Sequence, residues 1–205
     1  MPPSSISRGA ALEGLPLLCA TPEPWAALAA ANLETFLSDH AVCEQQAALS
    51  AMALMGQYPN DPELVDRMSA LAAEEISHMR RVLSILHRRG WHAAGRRANP
   101  WAQGLRLHLK GVPEPWLKVD RLLVGALIEA RSCERFTLLH EASQDDEVRA
   151  LLLDLGPAEK RHWQLFHRLA GRDVPATALD ERFGRWLAIE CELAAQGGQR
   201  PTVHG

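Results

Sequence analysis

Leu71-Ala-Ala-Glu-Glu-Ile-Ser-His78 and Leu155-Gly-Pro-Ala-Glu-Lys-Arg-His162 decide how this chain folds. Around the first, the positions Leu64, Met68, Leu71, Glu75, His78, Val82 and Leu86 step by three or four and share one helical face. Around the second, Val148, Leu151, Leu155, Glu159, His162, Leu165 and Leu169 do the same. In each stripe a Glu-x-x-His pair sits where apolar residues belong, and a buried carboxylate requires a strong partner. The pairs are 84 residues apart at both members, 75 to 159 and 78 to 162. With 16 Glu and 9 His in the chain, chance supplies roughly 0.7 Glu-x-x-His pairs. One match is therefore weak; two in register on core stripes point to half of a dinuclear metal site.

The 205 residues suit a single domain. Hydrophobic content of 47% with 23% charged residues is globular composition, not that of a disordered chain. Cys19, Cys43, Cys133 and Cys191 lie far apart without a C-x-x-C, which fits neither a zinc site nor a rubredoxin-type centre. Reduced, mostly buried thiols in a cytoplasmic protein are expected. No run of 18 apolar residues predicts a membrane span, and the Pro- and Ser-containing N-terminus does not read as a secretory signal.

Residues 1–21 read as an extended lead-in, with Thr21 as a cap for a helix from about Trp25 to Gly56. Its apolar face carries Leu33, Leu37, Ala47, Ala51 and Leu54, with Glu44 among them. Asp61 can cap a second helix, Pro62 to Arg89, which Gly90 ends. Residues 90–117 form a long, Gly- and Pro-rich connection. Helices follow at Leu117–Glu141, Asp146–Ala170 and Ala178–Gln196, and residues 197–205 read as a flexible tail. Two short-looped hairpins joined by one long crossover predict an all-α, ferritin-like four-helix bundle with an additional C-terminal helix. The repeat offset reads as an internal duplication of the hairpin.

Each hairpin should supply one carboxylate from its first helix and a Glu-x-x-His from its second. Glu44 serves the first hairpin. In the second, Glu129 lies on the stripe Leu122, Ala126, Glu129, Cys133, Phe136, and Glu134 lies on a rival stripe. Glu129 reads as the ligand, and Glu134 as an alternate ligand or as a residue that hydrogen-bonds one. The candidate metal and catalytic set is thus Glu44, Glu75, His78, Glu129, Glu159 and His162. Four carboxylates balance two divalent cations, and carboxylate with imidazole suits iron or manganese. Six protein ligands leave positions where dioxygen could bind. Asp39 and Asp154 are possible hydrogen-bond partners for the histidines; His40, His140 and His167 read as structural or surface residues.

A second feature is electrostatic. From Ile76 through Pro113 there is no acidic residue, although the whole chain carries a net charge of −3. Arg88, Arg89, Arg96, Arg97, Arg106 and Lys110 fall here, interleaved with Trp91 and Trp101, which suits RNA more readily than duplex DNA.

With both halves in place, the chain resembles the tRNA 2-methylthio-isopentenyladenosine hydroxylase (MiaE) family. The resemblance lies in Asp39-His-Ala-Val-Cys-Glu44, Ala73-Glu-Glu-Ile-Ser-His78, Gly125-Ala-Leu-Ile-Glu-Ala-Arg-Ser-Cys-Glu-Arg-Phe136 and Glu159-Lys-Arg-His162, and covers about residues 22–196. It implies a non-haem di-iron monooxygenase that hydroxylates the isopentenyl group of the hypermodified adenosine beside the anticodon. The implied cofactor is two iron ions, with dioxygen as co-substrate, tRNA as partner and electrons from a separate reductase or ferredoxin. The alternatives are another ferritin-like di-iron or di-manganese oxidoreductase, of ferroxidase or catalase type, and a metal-free helical RNA-binding module.

Overall fold

The computed structural model describes residues 11–93, 95 and 99–204, and among these there is no strand. Helices lie at Pro24–Ala30 (α1), Leu33–Gln57 (α2), Pro62–Arg88 (α3), Pro100–Leu107 (α4), Trp116–Ala142 (α5), Asp146–Ala170 (α6) and Ala176–Ala195 (α7). They form two compact units, Asn32–Ala98 and Met1–Ala31 with Asn99–Gly205.

The first unit is the α2–α3 hairpin. Its turn is set locally: the Asp61 carboxylate accepts from the Leu64 amide at 3.1 Å, and Pro62 occupies the first turn of α3. All seven residues of the α3 stripe are buried, Glu75 and His78 included. Gly90 at φ +70° ends the helix. Its amide donates to the His87 carbonyl and that of Trp91 to the Leu86 carbonyl, the pairing of a Schellman cap. On α2 the buried face runs through Phe36, Leu37, His40, Ala41, Glu44, Ala48 and Ala51. Ala47, expected on that face, is half-buried.

The single helix expected from Trp25 to Gly56 is two helices. Asn32, at φ −134° and ψ 49°, interrupts it. Asn competes for backbone hydrogen bonds and is a weak helix former, and the break lets α1 pack on α5 while α2 pairs with α3. Thr21 does not cap α1; its amide and hydroxyl both donate to the Glu134 carboxylate.

The second unit is organised on α5, which is buried on nearly every side from Val119 to Phe136. It packs along α6 and also meets α1, α4 and α7, which is why its sequence carries two rival stripes. Asp145 caps α6 through the Val148 amide. Pro157 lies inside α6, where a proline costs about 3 kcal/mol in an isolated helix. The helix persists because α5 holds it, partly through the Cys133 thiol donating to the Gly156 carbonyl at 3.3 Å. In the α6 stripe Leu165 is only half-buried, and Phe166 takes the buried position.

Two further expectations give way. The 90–117 connection contains α4, started by Asn99 accepting from the Ala102 amide with Pro100 at the first position. The tail expected to fray is docked over its described part: Val203 and His204 are buried, and His204 stacks on Trp101 with ring centroids 4.7 Å apart. Arg135 donates to the Val203 carbonyl and Trp25 to that of Thr202.

Candidate metal-binding residues

In the first hairpin, Glu44 projects from α2 and the Glu75–His78 pair from α3. Each of the three offers a ligand atom within 4.8 Å of the others. His78 Nδ1 lies 3.2 Å from Glu75 Oε2 and 3.8 Å from Glu44 Oε2. On its other side, Glu44 Oε1 accepts from His40 Nε2 at 2.5 Å. Burial pushes the Glu44 carboxyl up, but the charge and hydrogen bond of His40, with His78 and Glu75 close by, hold it well below the usual carboxylate range. Burial lowers His78, yet the facing Glu44 and Glu75 carboxylates dominate and push it up to about 10.

In the second hairpin, Glu129 from α5 and Glu159 and His162 from α6 are all buried. Glu129 and His162 bring ligand atoms within 4.8 Å of one another. Both sets combine buried carboxylate oxygens with imidazole nitrogen, and Cys133, one turn beyond Glu129, is engaged with the α6 backbone instead. Such donors suit iron or manganese. Burying ionised carboxylates costs several kcal/mol per group unless a cation accompanies them, so the sets fit a divalent metal.

Glu134 is placed elsewhere. It is fully buried in a charge cluster, accepting from the Thr21 amide at 2.7 Å, the Thr21 hydroxyl at 2.6 Å and Arg131 Nη1 at 2.6 Å. Arg131 also donates through Nε and Nη2 to the two oxygens of Glu190 on α7, each at 2.8 Å. The long α5 motif therefore has two faces: Glu129 on the stripe that meets α6, and Arg131 and Glu134 joining α5 to the lead-in and α7.

Of the acids expected beside the histidines, Asp154 is exposed and Asp39 accepts from the Cys43 thiol. His40, read as a structural or surface residue, is buried and donates to the candidate ligand Glu44. Its position four residues before Glu44 was the available signal. His140 bonds the Arg149 carbonyl and His167 packs on Phe183. Among the basic residues, Arg88, Arg106 and Lys110 are exposed, and the Arg89 guanidinium lies 5.2 Å over the Trp91 ring. Arg96 and Arg97 lie outside the described residues.

Two helical hairpins with a long connection, each carrying a buried carboxylate and a buried Glu-x-x-His, define a ferritin-like carboxylate-histidine protein. A solved structure described as protein 43 with aldehyde deformylating oxygenase activity, from Synechococcus, agrees in fold. It matches with TM-score 0.87 and 34% identity over 92% of this chain and 95% of its own. More specifically, residues 13–205 match the family tRNA-(MS[2]IO[6]A)-hydroxylase (MiaE), and the chain belongs to it. A relative from Pseudomonas putida KT2440 is 42% identical over 74% of this chain and 73% of its own length. One from Salmonella typhimurium LT2 is 28% identical over 86% and 83%. Both are named tRNA 2-(methylsulfanyl)-N(6)-isopentenyladenosine(37) hydroxylase. No helix of the described residues is long and apolar enough to cross a membrane.

Proposed function

We propose that this chain hydroxylates the isopentenyl side chain of the modified adenosine beside the anticodon of tRNA, in the cytoplasm. The observation that carries the reading is the pair of buried Glu-x-x-His sets in a chain whose family and 42%-identical relative are named for that reaction. Glu44, Glu75, His78, Glu129, Glu159 and His162 are proposed as the ligands of two iron ions. When bound, the irons would supply dioxygen activation, with one oxygen atom destined for the C–H bond and the other for water, two electrons coming from a separate donor protein and two protons from solvent. The protein's contribution is positional. The buried helix faces fix the carboxylates and imidazoles, keep bulk water away from them and leave the base to be splayed from its loop. The exposed cations Arg88, Arg106 and Lys110, with Arg89, Arg96 and Arg97, are proposed contacts for the RNA phosphates.

The test is a single turnover. Reduced, iron-loaded protein receives oxygen and tRNA bearing the isopentenylated adenosine, and the digested nucleosides are weighed by mass spectrometry. A gain of one oxygen, lost in Glu159→Ala, is expected. The Synechococcus structure's described activity motivates a parallel arm with an aldehyde. Conversion there with none on tRNA would replace the RNA reading with a di-iron aldehyde enzyme.

A further inference from the structure

The duplicated hairpins are not equivalent one turn away from their first carboxylate. In the first, His40 precedes Glu44 by four residues on α2, and Val82 follows His78 by four on α3. Both are fully buried. In the second, the matching positions are Gly125, four before Glu129, and Phe166, four after His162. The Phe166 ring fills the place a side chain at 125 would take: a Cβ there would meet three ring carbons at 3.0–3.1 Å. The bulky member therefore comes from the first helix in one hairpin and from the second helix in the other. In the first hairpin it is a nitrogen donor; in the second it is a hydrocarbon ring.

The consequence is chemical. An ionised carboxylate only accepts hydrogen bonds, so His40 Nε2 must donate to Glu44 Oε1 across their 2.5 Å contact. That contact pins the carboxylate rotamer and leaves Oε2 on the His78 side, 3.8 Å from Nδ1. At the level of Gly125 and Phe166, Glu129 has no such donor. We propose that His40 is a positioning residue that preorganises Glu44 and makes the first hairpin's set the tighter, first-filled metal position. The second set is the weaker. The inference rests on the metal reading above.

The test is an anaerobic titration of metal-free protein with Co(II), following d–d absorption and bound metal per chain, alongside thermal unfolding. Wild-type protein should bind in two separable steps. His40→Phe keeps a ring without the donor and should weaken the first step by about 10- to 100-fold, merging it with the second. The metal-linked rise in Tm should shrink accordingly. His40→Gln, which restores an N–H at similar reach, should recover the two steps. Two unchanged steps in folded His40→Phe would overturn the assignment. If that variant does not fold, His40→Asn, too short to reach Glu44, decides in the same way. Absence of metal binding by wild-type protein would instead remove the metal reading itself.

Discussion

Replacing Arg131 by Met should destabilise the protein strongly while leaving its metal content intact. The guanidinium donates to both oxygens of Glu190, to Glu134, to the Cys19 carbonyl at 3.0 Å and to Thr21 Oγ1 at 3.4 Å. Arg131, Glu134 and Glu190 are each 0% exposed. Glu134 keeps its Thr21 donors in the variant, whereas Glu190 loses both bonds to Arg131 and stays buried as a charge. Removing one partner of a buried pair costs about 3–5 kcal/mol. For a chain of this length each kcal/mol moves Tm by about 2–4 °C, so the expected fall is roughly 6–20 °C. Thermal and urea unfolding of metal-free protein measure it, with bound metal counted in parallel. Adding Glu190→Gln should recover more than half the loss, since the stranded charge is then gone. A loss under about 1 kcal/mol, or no recovery in the double variant, would refute the account of Arg131 as the partner that keeps Glu190 buried as a charge.

Other outcomes are expected from single features. Glu129→Gln should lower bound iron per chain, whereas Glu134→Gln should keep it, because Glu134 is committed to Thr21 and Arg131; equal loss in both would reopen the choice of ligand. Burial pushes the Cys133 thiol from 9.0 up to about 11 against a smaller lowering by Lys160. At pH 8 its thiolate fraction then drops from about one in ten to about one in a thousand. Native protein should therefore alkylate there slowly, the rate climbing toward pH 11, and rapid labelling at pH 8 would contradict the burial. Deleting residues 202–204 removes the Trp25 and Arg135 bonds and the Trp101 stack. A loss of about 2–4 kcal/mol is expected, with faster amide exchange in α4.

Much of this was readable because it is local. The α3 and α6 stripes announce themselves by spacing, and Asp61 and Gly90 mark helix ends by chemistry that acts within three or four residues. α4 escaped because eight residues give barely two turns of periodicity, although Asn99-Pro100 carried the start signal. The docked tail and the Arg131–Glu190 pair escaped for a different reason. Arg135 and Val203 are 68 residues apart, Arg131 and Glu190 59, and composition at Gly197-Gly198 says nothing of what holds the chain beyond it. The contact of His40 with Glu44 was not legible in the same way, because a histidine four residues before a carboxylate on a helix can face it or turn aside, and only the structure shows which.

The exchange of bulk between Gly125–Phe166 and His40–Val82 also constrains how the family can drift. A Cβ at 125 would sit 3.0–3.1 Å from the Phe166 ring, inside ordinary contact, so a larger residue there forces the ring to shift. A smaller residue at 166 opens a cavity unless 125 grows. Position 40 likewise gives up its donor when it shrinks, whatever Val82 becomes. Across relatives, residues 125 and 166 should therefore change together and in opposite directions of size, while 40 tolerates only side chains that still reach Glu44.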